Sequence, residues 1–203
     1  MNRVKNISKQ TQNRFLNLYE LEVEHRDGKV SPYFLASRSE EVSDLKITTG
    51  KNTPDGVVIY GIYGENKDKV ALVRQFRYPI NDYIYEFPAG LVEKGEDATV
   101  AAVREMYEET GLTLTPVECE EGYNRPFFTT IGMTDESCAT VYGYLSGEPT
   151  NIHQEASEDI QVILADREEC KRILKEENVA IICAYMLMHF IHSEDEPFGF
   201  LKL

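Results

Sequence analysis

Alternation of apolar and polar residues near the start of the chain predicts a β-hairpin. Within residues 19–23, apolar side chains alternate with glutamates, which is the period-two pattern of a half-buried strand. An Asp-Gly turn follows, and residues 29–36 return as a second strand. Residues 38–55 are charged and then rich in Gly, Pro and Asn, so we expect a linker with one short strand there. The pattern divides the chain into an N-terminal β unit, residues 1–50, and a main domain, residues 51–203.

The main domain alternates between two kinds of pattern. Apolar, β-branched runs predict strands at 57–63, 69–77, 83–87, 114–119, 139–145 and 160–164. Longer segments rich in helix-forming residues predict helices at 97–110, 166–176 and 179–192. Because these elements mix without strict βαβ alternation, the expected fold class is α+β.

Composition and charge restrict the environment and the partners of the chain. At 203 residues and 42% hydrophobic content, the chain can build a substantial core. The first twelve residues lack the apolar run of a secretory signal, and residues 179–191 are too short to span a bilayer. Four cysteines without CxxC spacing indicate reduced thiols, so we expect a cytoplasmic chain without a membrane partner. The net charge of −14 argues against binding nucleic acid.

The predicted helix at 97–110 carries the strongest candidate chemistry. Glu105, Glu108 and Glu109 are spaced three and four residues apart, so they share one face. Like charges at this spacing cost about 0.2–0.5 kcal/mol per pair in an isolated helix. Three glutamates alone also fit a solvated helix face. Together with the preceding loop at 90–96, they could instead form an oxygen site for Mg²⁺ or Mn²⁺.

The spacing of the whole segment favours the metal site. Gly90 is followed after five residues by Glu96, and seven residues later the chain reads REMYEETGL from Arg104. This pattern resembles the Nudix box. The resemblance covers about residues 55–200 and implies an α/β/α sandwich with a mixed sheet, preceded here by the small antiparallel β unit. It also implies an Mg²⁺-dependent hydrolase acting on a nucleoside diphosphate linked to another moiety.

The resemblance assigns roles within the box. It implies a metal shell made of Glu105, Glu108, Glu109 and the backbone carbonyl of Ala89. We expect Arg104 to form an ion pair with Glu96, which would fix the loop against the helix. An ordinary surface pair would contribute little to stability.

A second resemblance concerns the substrate. Gln75-Phe76-Arg77, and later the segment EFPAG from Glu86, are similar to the stretch that leads into the box of ADP-ribose pyrophosphatases, also called ADP-sugar diphosphatases. By this resemblance Arg77 approaches the diphosphate, where a guanidinium can bind phosphate oxygens in a bidentate manner. Glu86 enters the same pocket by the same analogy.

The loop before residue 137 resembles the family's mobile loop with a catalytic glutamate, which implies Glu136 as general base. Asp135 is the competing candidate, since Ile131 replaces the proline usual before the glycine of this loop. With no Trp in the chain, Tyr33 and Phe128 are candidates for stacking on the base, although each also fits a core position. Arg38 could reach a phosphate or ribose, or lie on the surface.

Together these features predict hydrolysis of ADP-ribose, or a related nucleoside diphosphate sugar, to a nucleoside monophosphate and a sugar phosphate. The alternatives are a Nudix pyrophosphatase acting on GDP-mannose, nucleoside triphosphates or dinucleotides, and a non-catalytic domain that senses ADP-ribose. By resemblance, the N-terminal β unit is expected to build a homodimer.

Overall fold

The computed structural model describes residues 3–120, 122–154, 159–193 and 196–201. The chain folds into two compact units. The first unit contains Met1–Asp55 and Pro126–Cys138, and the second contains Gly56–Arg125 and Ala139–Leu203. The boundary after residue 50 stays a prediction.

Eleven strands and four helices make up the described chain. The strands are β1 (Val4–Lys9), β2 (Asn17–Glu24), β3 (Val30–Ser37), β4 (Gly56–Tyr63), β5 (Lys69–Arg77), β6 (Asp82–Glu86), β7 (Ala89–Leu91), β8 (Thr113–Pro116), β9 (Phe127–Phe128), β10 (Ser137–Ser146) and β11 (Ile160–Ala165). The helices are α1 (Lys46–Thr49), α2 (Ala98–Thr110), α3 (Arg167–Glu176) and α4 (Ile181–His192).

The first unit is built on a three-stranded antiparallel sheet in the order β1-β2-β3. The predicted hairpin is β2 and β3, which bury Tyr19, Leu21 and Leu35 beside Leu45. Strand β1 was not predicted. Its apolar residues Val4 and Ile7 are three positions apart, so the sequence lacks the alternation that marks a strand, and both are only partly buried.

The linker of the first unit is helical where a short strand was predicted. A 3₁₀ turn at Val42–Asp44 leads into α1, which Gly50 ends in the left-handed conformation at φ 66°. The side chain of Lys46 donates to the carbonyl of Thr53 at 2.8 Å and pairs with Asp55 at 2.6 Å, and this fixes the chain beyond α1.

The second unit has a mixed sheet covered by helices on both faces. Its strand order is β11-β5-β4-β10-β8, with β6 beside β5 and β7 beside β4. Side chains of β4 alternate between the two faces. Val57 and Ile59 pack in the cluster that includes Ala101 and Met106 of α2. Tyr60 and Ile62 pack in a second cluster with α3 and α4, represented by Ile173, Leu187 and Phe190. The predicted α/β/α sandwich with a small N-terminal β unit is therefore confirmed.

Candidate active site

Helix α2 starts and ends where its sequence provides caps. The carboxylate of Asp97 accepts hydrogen bonds from the amides of Thr99 and Val100, and these are donors that a helix start leaves unpaired. Gly111 takes the left-handed conformation at φ 73° and closes the helix through Tyr107. The caps fix the register of the helix and thereby the face on which the three glutamates lie.

Arg104 is the centre of the polar network on α2. Its Nε and Nη2 donate to the carboxylate of Glu96 at 3.1 and 3.0 Å, and Nη2 also donates to the carbonyl of Leu91 at 3.1 Å. Its Nη1 donates to Glu105 at 2.8 Å and to Glu108 at 3.0 Å. These bonds use all five N–H groups of a guanidinium. The loop before α2 is thus tied to the helix at its carboxylate face, with Arg104 and Glu96 in the predicted pair.

The same network shifts the ionisation of its members. The hydrogen bond from Arg104, with a second from the amide of Glu93, holds the pKa of Glu96 below its usual range. The carboxylates of Glu96, Glu105 and Glu108 raise the pKa of Arg104, so its positive charge is permanent. The loop and helix are therefore joined by fully ionised groups at neutral pH.

Glu109 is held on the buried side of the helix. It is only 4% exposed, and its Oε2 accepts the amide hydrogen of Ala89 at 3.1 Å. Ala89 is the first residue of β7, so this bond joins the carboxylate to the strand that precedes the box loop. A carboxylate in this position is fixed in orientation before any ligand arrives.

Gly90 allows the strand and the helix to approach closely. A Cβ atom at this position would overlap the carboxylate of Glu105. A side chain at residue 90 would therefore displace Glu105 or move β7 away from α2. The absence of a side chain at residue 90 leaves room for the Glu105 carboxylate in its observed position.

A cavity of about 480 Å³ opens beside these carboxylates. It is lined by Ala89, Gly90, Leu91, Glu93, Arg104, Glu105, Glu108 and His153. Carboxylate and carbonyl oxygens are the donors that Mg²⁺ and Mn²⁺ prefer, so the residues present fit a hard divalent cation. Within the described ranges, no three His, Cys, Asp or Glu side chains already converge as a metal site. Glu105 and Glu108 are bonded to Arg104, while Glu109 accepts the hydrogen bond of the Ala89 amide.

The two predicted substrate residues of the second unit are paired. Arg77 lies at the end of β5 and Glu86 at the end of β6, which are adjacent antiparallel strands. The Nε of Arg77 binds Oε2 of Glu86 at 2.7 Å. The Arg77 side chain is 46% exposed, so the guanidinium keeps a face toward solvent where an anion could bind.

The first unit brings together the other predicted residues. Arg38 pairs with Glu136 at 3.1 Å, and the hydroxyl of Thr129 donates to the second oxygen of Glu136 at 2.9 Å. The hydroxyl of Tyr33 donates to the carbonyl of Gly132 at 2.5 Å, in the loop that carries Glu136. The structure thus ties the loop that carries Glu136 to β3 and to Arg38, the residue after β3.

Tyr33 and Phe128 both line an apolar cavity of about 370 Å³ in the first unit, together with Ile131 and Asp135. The ammonium of Lys46 lies 5.9 Å from the centre of the Phe128 ring. Both aromatic rings are almost half exposed rather than core residues. A pocket with aromatic walls and few polar groups suits a flat heterocycle.

Two features of these sites had no signal in the sequence. His153 lines the α2 cavity, although a single histidine in a polar loop gives no ligand spacing. Lys46 bonds to both Asp55 and Ser137, which are distant in the sequence. Only the folded chain brings such residues together.

Among the helices in the described parts of the chain, none is both long and apolar enough to cross a membrane.

Comparison with known proteins identifies the family. Residues 52–180 match the family model described as NUDIX domain. The chain belongs to this family. The match contains the α2 carboxylates, Arg77 and Glu86, and the loop with Glu136, so the predicted family is confirmed.

Several curated proteins are similar to this NUDIX chain. An ADP-ribose pyrophosphatase of Bacillus subtilis (strain 168) is 30% identical over 152 residues, which are 68% of this chain and 76% of the relative. A methanol dehydrogenase activator of Bacillus methanolicus is 38% identical over 47% of this chain and 52% of its own length. An ADP-sugar pyrophosphatase of Mus musculus is 41% identical over 37% of this chain and 36% of its own length. The chain thus spans about half or less of the last two relatives.

A solved structure supports the NUDIX fold independently. The crystal structure of an ADP compounds hydrolase matches with a TM-score of 0.60 and 16% identity, covering 85% of this chain and 82% of that chain. At this identity the likeness concerns the fold alone.

Proposed function

We propose that this NUDIX chain hydrolyses the diphosphate bond of ADP-ribose or a related nucleoside diphosphate sugar, with Mg²⁺ or Mn²⁺ as cofactor. The observation that carries the proposal is the buried carboxylate of Glu109, fixed by the Ala89 amide beside a cavity lined by Glu105 and Glu108. An acidic cavity of this kind repels a diphosphate unless a divalent cation is bound.

The reaction is addition of water to one phosphorus and cleavage of the P–O–P bridge. The products are a nucleoside monophosphate and a sugar phosphate. A bound cation would neutralise the phosphate oxygens and lower the pKa of the attacking water. The chain contributes position: Glu105, Glu108, Glu109 and the Ala89 carbonyl would hold the cation, while Arg104 and Glu96 keep the box loop against the helix.

The choice of substrate rests on the relatives and on Arg77. Two of the similar proteins are named for ADP-ribose or ADP-sugars. Arg77 offers a half-exposed guanidinium oriented by Glu86, which suits the two phosphates of a diphosphate sugar. GDP-mannose, nucleoside triphosphates and dinucleotides remain the alternative substrates.

The first unit contributes further candidates. Glu136 is proposed as the general base, with Asp135 as the competing residue, and Arg38 would hold Glu136 in place. Tyr33 and Phe128 are proposed to contact the base of the nucleotide, because their cavity is apolar and aromatic.

We also propose that the chain forms a homodimer through the first unit. Large apolar side chains there stay exposed, among them Phe34 of β3 at 51% and Phe15 at 68%. Exposed apolar groups of this size are typical of surfaces that become covered by a partner.

Substitution of Glu109 tests the proposed chemistry. Glu109→Gln keeps an oxygen that can accept the Ala89 amide but removes the negative charge needed for a cation. We expect kcat with ADP-ribose and Mg²⁺ to fall by roughly 10²-fold or more, as for loss of an electrostatic group in an active site. The measurement is the formation of AMP and ribose 5-phosphate from ADP-ribose by the purified chain. GDP-mannose, NADH, diadenosine polyphosphates and nucleoside triphosphates are assayed as alternative substrates.

Glu168→Gln is the matched control, since Glu168 is also a helical glutamate but is 82% exposed on α3. It should retain wild-type kcat, and both variants should melt as cooperatively as the wild type. Activity of Glu109→Gln within about tenfold of wild type would remove Glu109 from the cation shell. Binding of ADP-ribose by a wild-type chain that cleaves none of the substrates would favour the sensing domain.

A further inference from the structure

A short segment after β10 is fastened to the end of α2. The amide of Thr150 donates to the carbonyl of Thr110 at 2.8 Å, and Nε2 of Gln154 donates to the carbonyl of Glu109 at 2.7 Å. These carbonyls belong to the last turn of the helix, where backbone acceptors lack intrahelical partners. The bonds hold the segment beside the carboxylates of the helix.

His153 lies in this segment and lines the α2 cavity together with Glu105 and Glu108. Its imidazole stacks on the ring of Tyr107, with centroids 4.5 Å apart and planes inclined by 29°. Tyr107 is the residue before Glu108 on the helix. The ring of His153 is thus held in one plane by the same helix that carries the glutamates.

Hydrogen-bond donors in the cavity are few. Of the side chains described along its wall, only those of Arg104 and His153 carry N–H groups. Arg104 already gives its five N–H groups to Glu96, Glu105, Glu108 and the carbonyl of Leu91. The His153 ring stacks on Tyr107, and none of the residues that the structure describes forms a hydrogen bond with the imidazole. Among the side chains that line the cavity, His153 is therefore the one that can donate a hydrogen bond to an anion.

We propose that His153 is a further substrate-contact residue, which donates a hydrogen bond from its imidazole to a phosphate oxygen of the bound diphosphate. Tyr107 acts as its positioning residue by fixing the plane of the ring. This inference rests on the proposed function, because it assigns a contact within the same cavity. Hydrogen bonds between a donor and a charged phosphate are among the stronger ones that a protein makes.

Substrate affinity and turnover of the full chain test the proposal. His153→Ala should raise KM for ADP-ribose about tenfold with kcat little changed, because the lost hydrogen bond contributes to binding of the ground state as well as the transition state. Calorimetric titration with α,β-methylene ADP-ribose and Mg²⁺ should show an equal loss of affinity without turnover. His153→Gln should recover part of it, since its amide can donate in the same region. Tyr107→Ala should weaken binding more than Tyr107→Phe, which keeps the stacked ring.

His192→Ala is the matched control, because His192 is an exposed histidine at the end of α4. It should bind the analogue as the wild type does. Unchanged affinity of a folded His153→Ala chain, or an equal loss in His192→Ala, would overturn the inference. If His153→Ala does not fold, His153→Gln and Tyr107→Ala carry the same comparison. A wild-type chain that neither cleaves nor binds a nucleoside diphosphate sugar would overturn the proposed function itself, whereas an active wild type with an unaffected His153→Ala overturns this inference alone.

Discussion

At the scale of single residues, Arg104 shows why charge alone does not describe the candidate site. A planar guanidinium reaches Glu96, Glu105 and Glu108 at once, whereas an ammonium has three donors around one point. Arg104→Lys should therefore lower the free energy of unfolding by about 1–3 kcal/mol, as expected for lost hydrogen bonds to charged groups, and should lower kcat. Urea unfolding and ADP-ribose turnover measure the two effects. Arg26→Lys, at an exposed position, should change neither; equal behaviour of both variants would contradict the role given to Arg104.

Tyr60 offers a second test at the residue scale. Its ring is enclosed by aromatic residues, including Phe87 at 5.4 Å and Phe198 at 5.9 Å between centroids. Its buried hydroxyl has no hydrogen-bond partner within the described part of the chain, and burial raises its pKa. Tyr60→Phe should therefore stabilise the fold by about 1 kcal/mol, measured as a higher Tm.

Tyr19 is the natural control for that change. It is equally buried, but its hydroxyl donates to the carbonyl of Ser39 at 2.7 Å. Tyr19→Phe should lower the Tm because it leaves that carbonyl without its donor. If both substitutions lower the Tm, the Tyr60 hydroxyl has a partner and the account of this core is wrong.

At the scale of elements, α4 has a pH-dependent contact. Burial lowers the pKa of His189, which packs edge-on against Phe200 with centroids 4.4 Å apart. A histidine whose pKa is lower in the folded state binds protons more readily when unfolded. Stability should therefore be full above the unfolded pKa of about 6.5 and should decrease as the pH falls below it.

Thermal unfolding of His189→Gln between pH 8 and pH 5 measures this dependence. The variant should lose less stability on acidification than the wild type, whatever its stability at pH 8. His192→Gln should follow the wild type, since that side chain is exposed. Parallel curves for the wild type and His189→Gln would show that His189 does not contribute.

Elements with a local pattern could be predicted from the sequence, and those that depend on distant partners could not. Helix α2 was expected at 97–110 and found at Ala98–Thr110, because its cap residues Asp97 and Gly111 are local signals. Strand β1 was missed because its pairing with β2 supplies what its own sequence lacks. One short strand was expected in the linker at 38–55, but Gly50 and the bonds of Lys46 produce the helical turn α1.

The same distinction applies to the candidate site. Glu105, Glu108 and Glu109 could be found because their spacing is itself the signal. His153 could not, because its place depends on bonds from Thr150 and Gln154 to the end of α2. Their roles in catalysis stay predictions.

At the scale of the whole molecule, the proposed dimer can be tested through its apolar surface. Phe34 lies on β3 and is 51% exposed, so a charge there would be buried by a partner at high cost. Phe34→Asp should change a dimer into a monomer by light scattering. Tyr78→Asp changes a more exposed aromatic residue of the second unit, at 81%, and should leave the mass unchanged. A monomeric wild type would contradict the proposal directly.

Gly90 has a consequence for how this chain tolerates change. A methyl group at residue 90 would already occupy the position of the Glu105 carboxylate. Even the smallest side chain would therefore turn the Glu105 carboxylate aside. The proposed cation site can thus be disturbed without the loss of any charged group, by one added carbon atom.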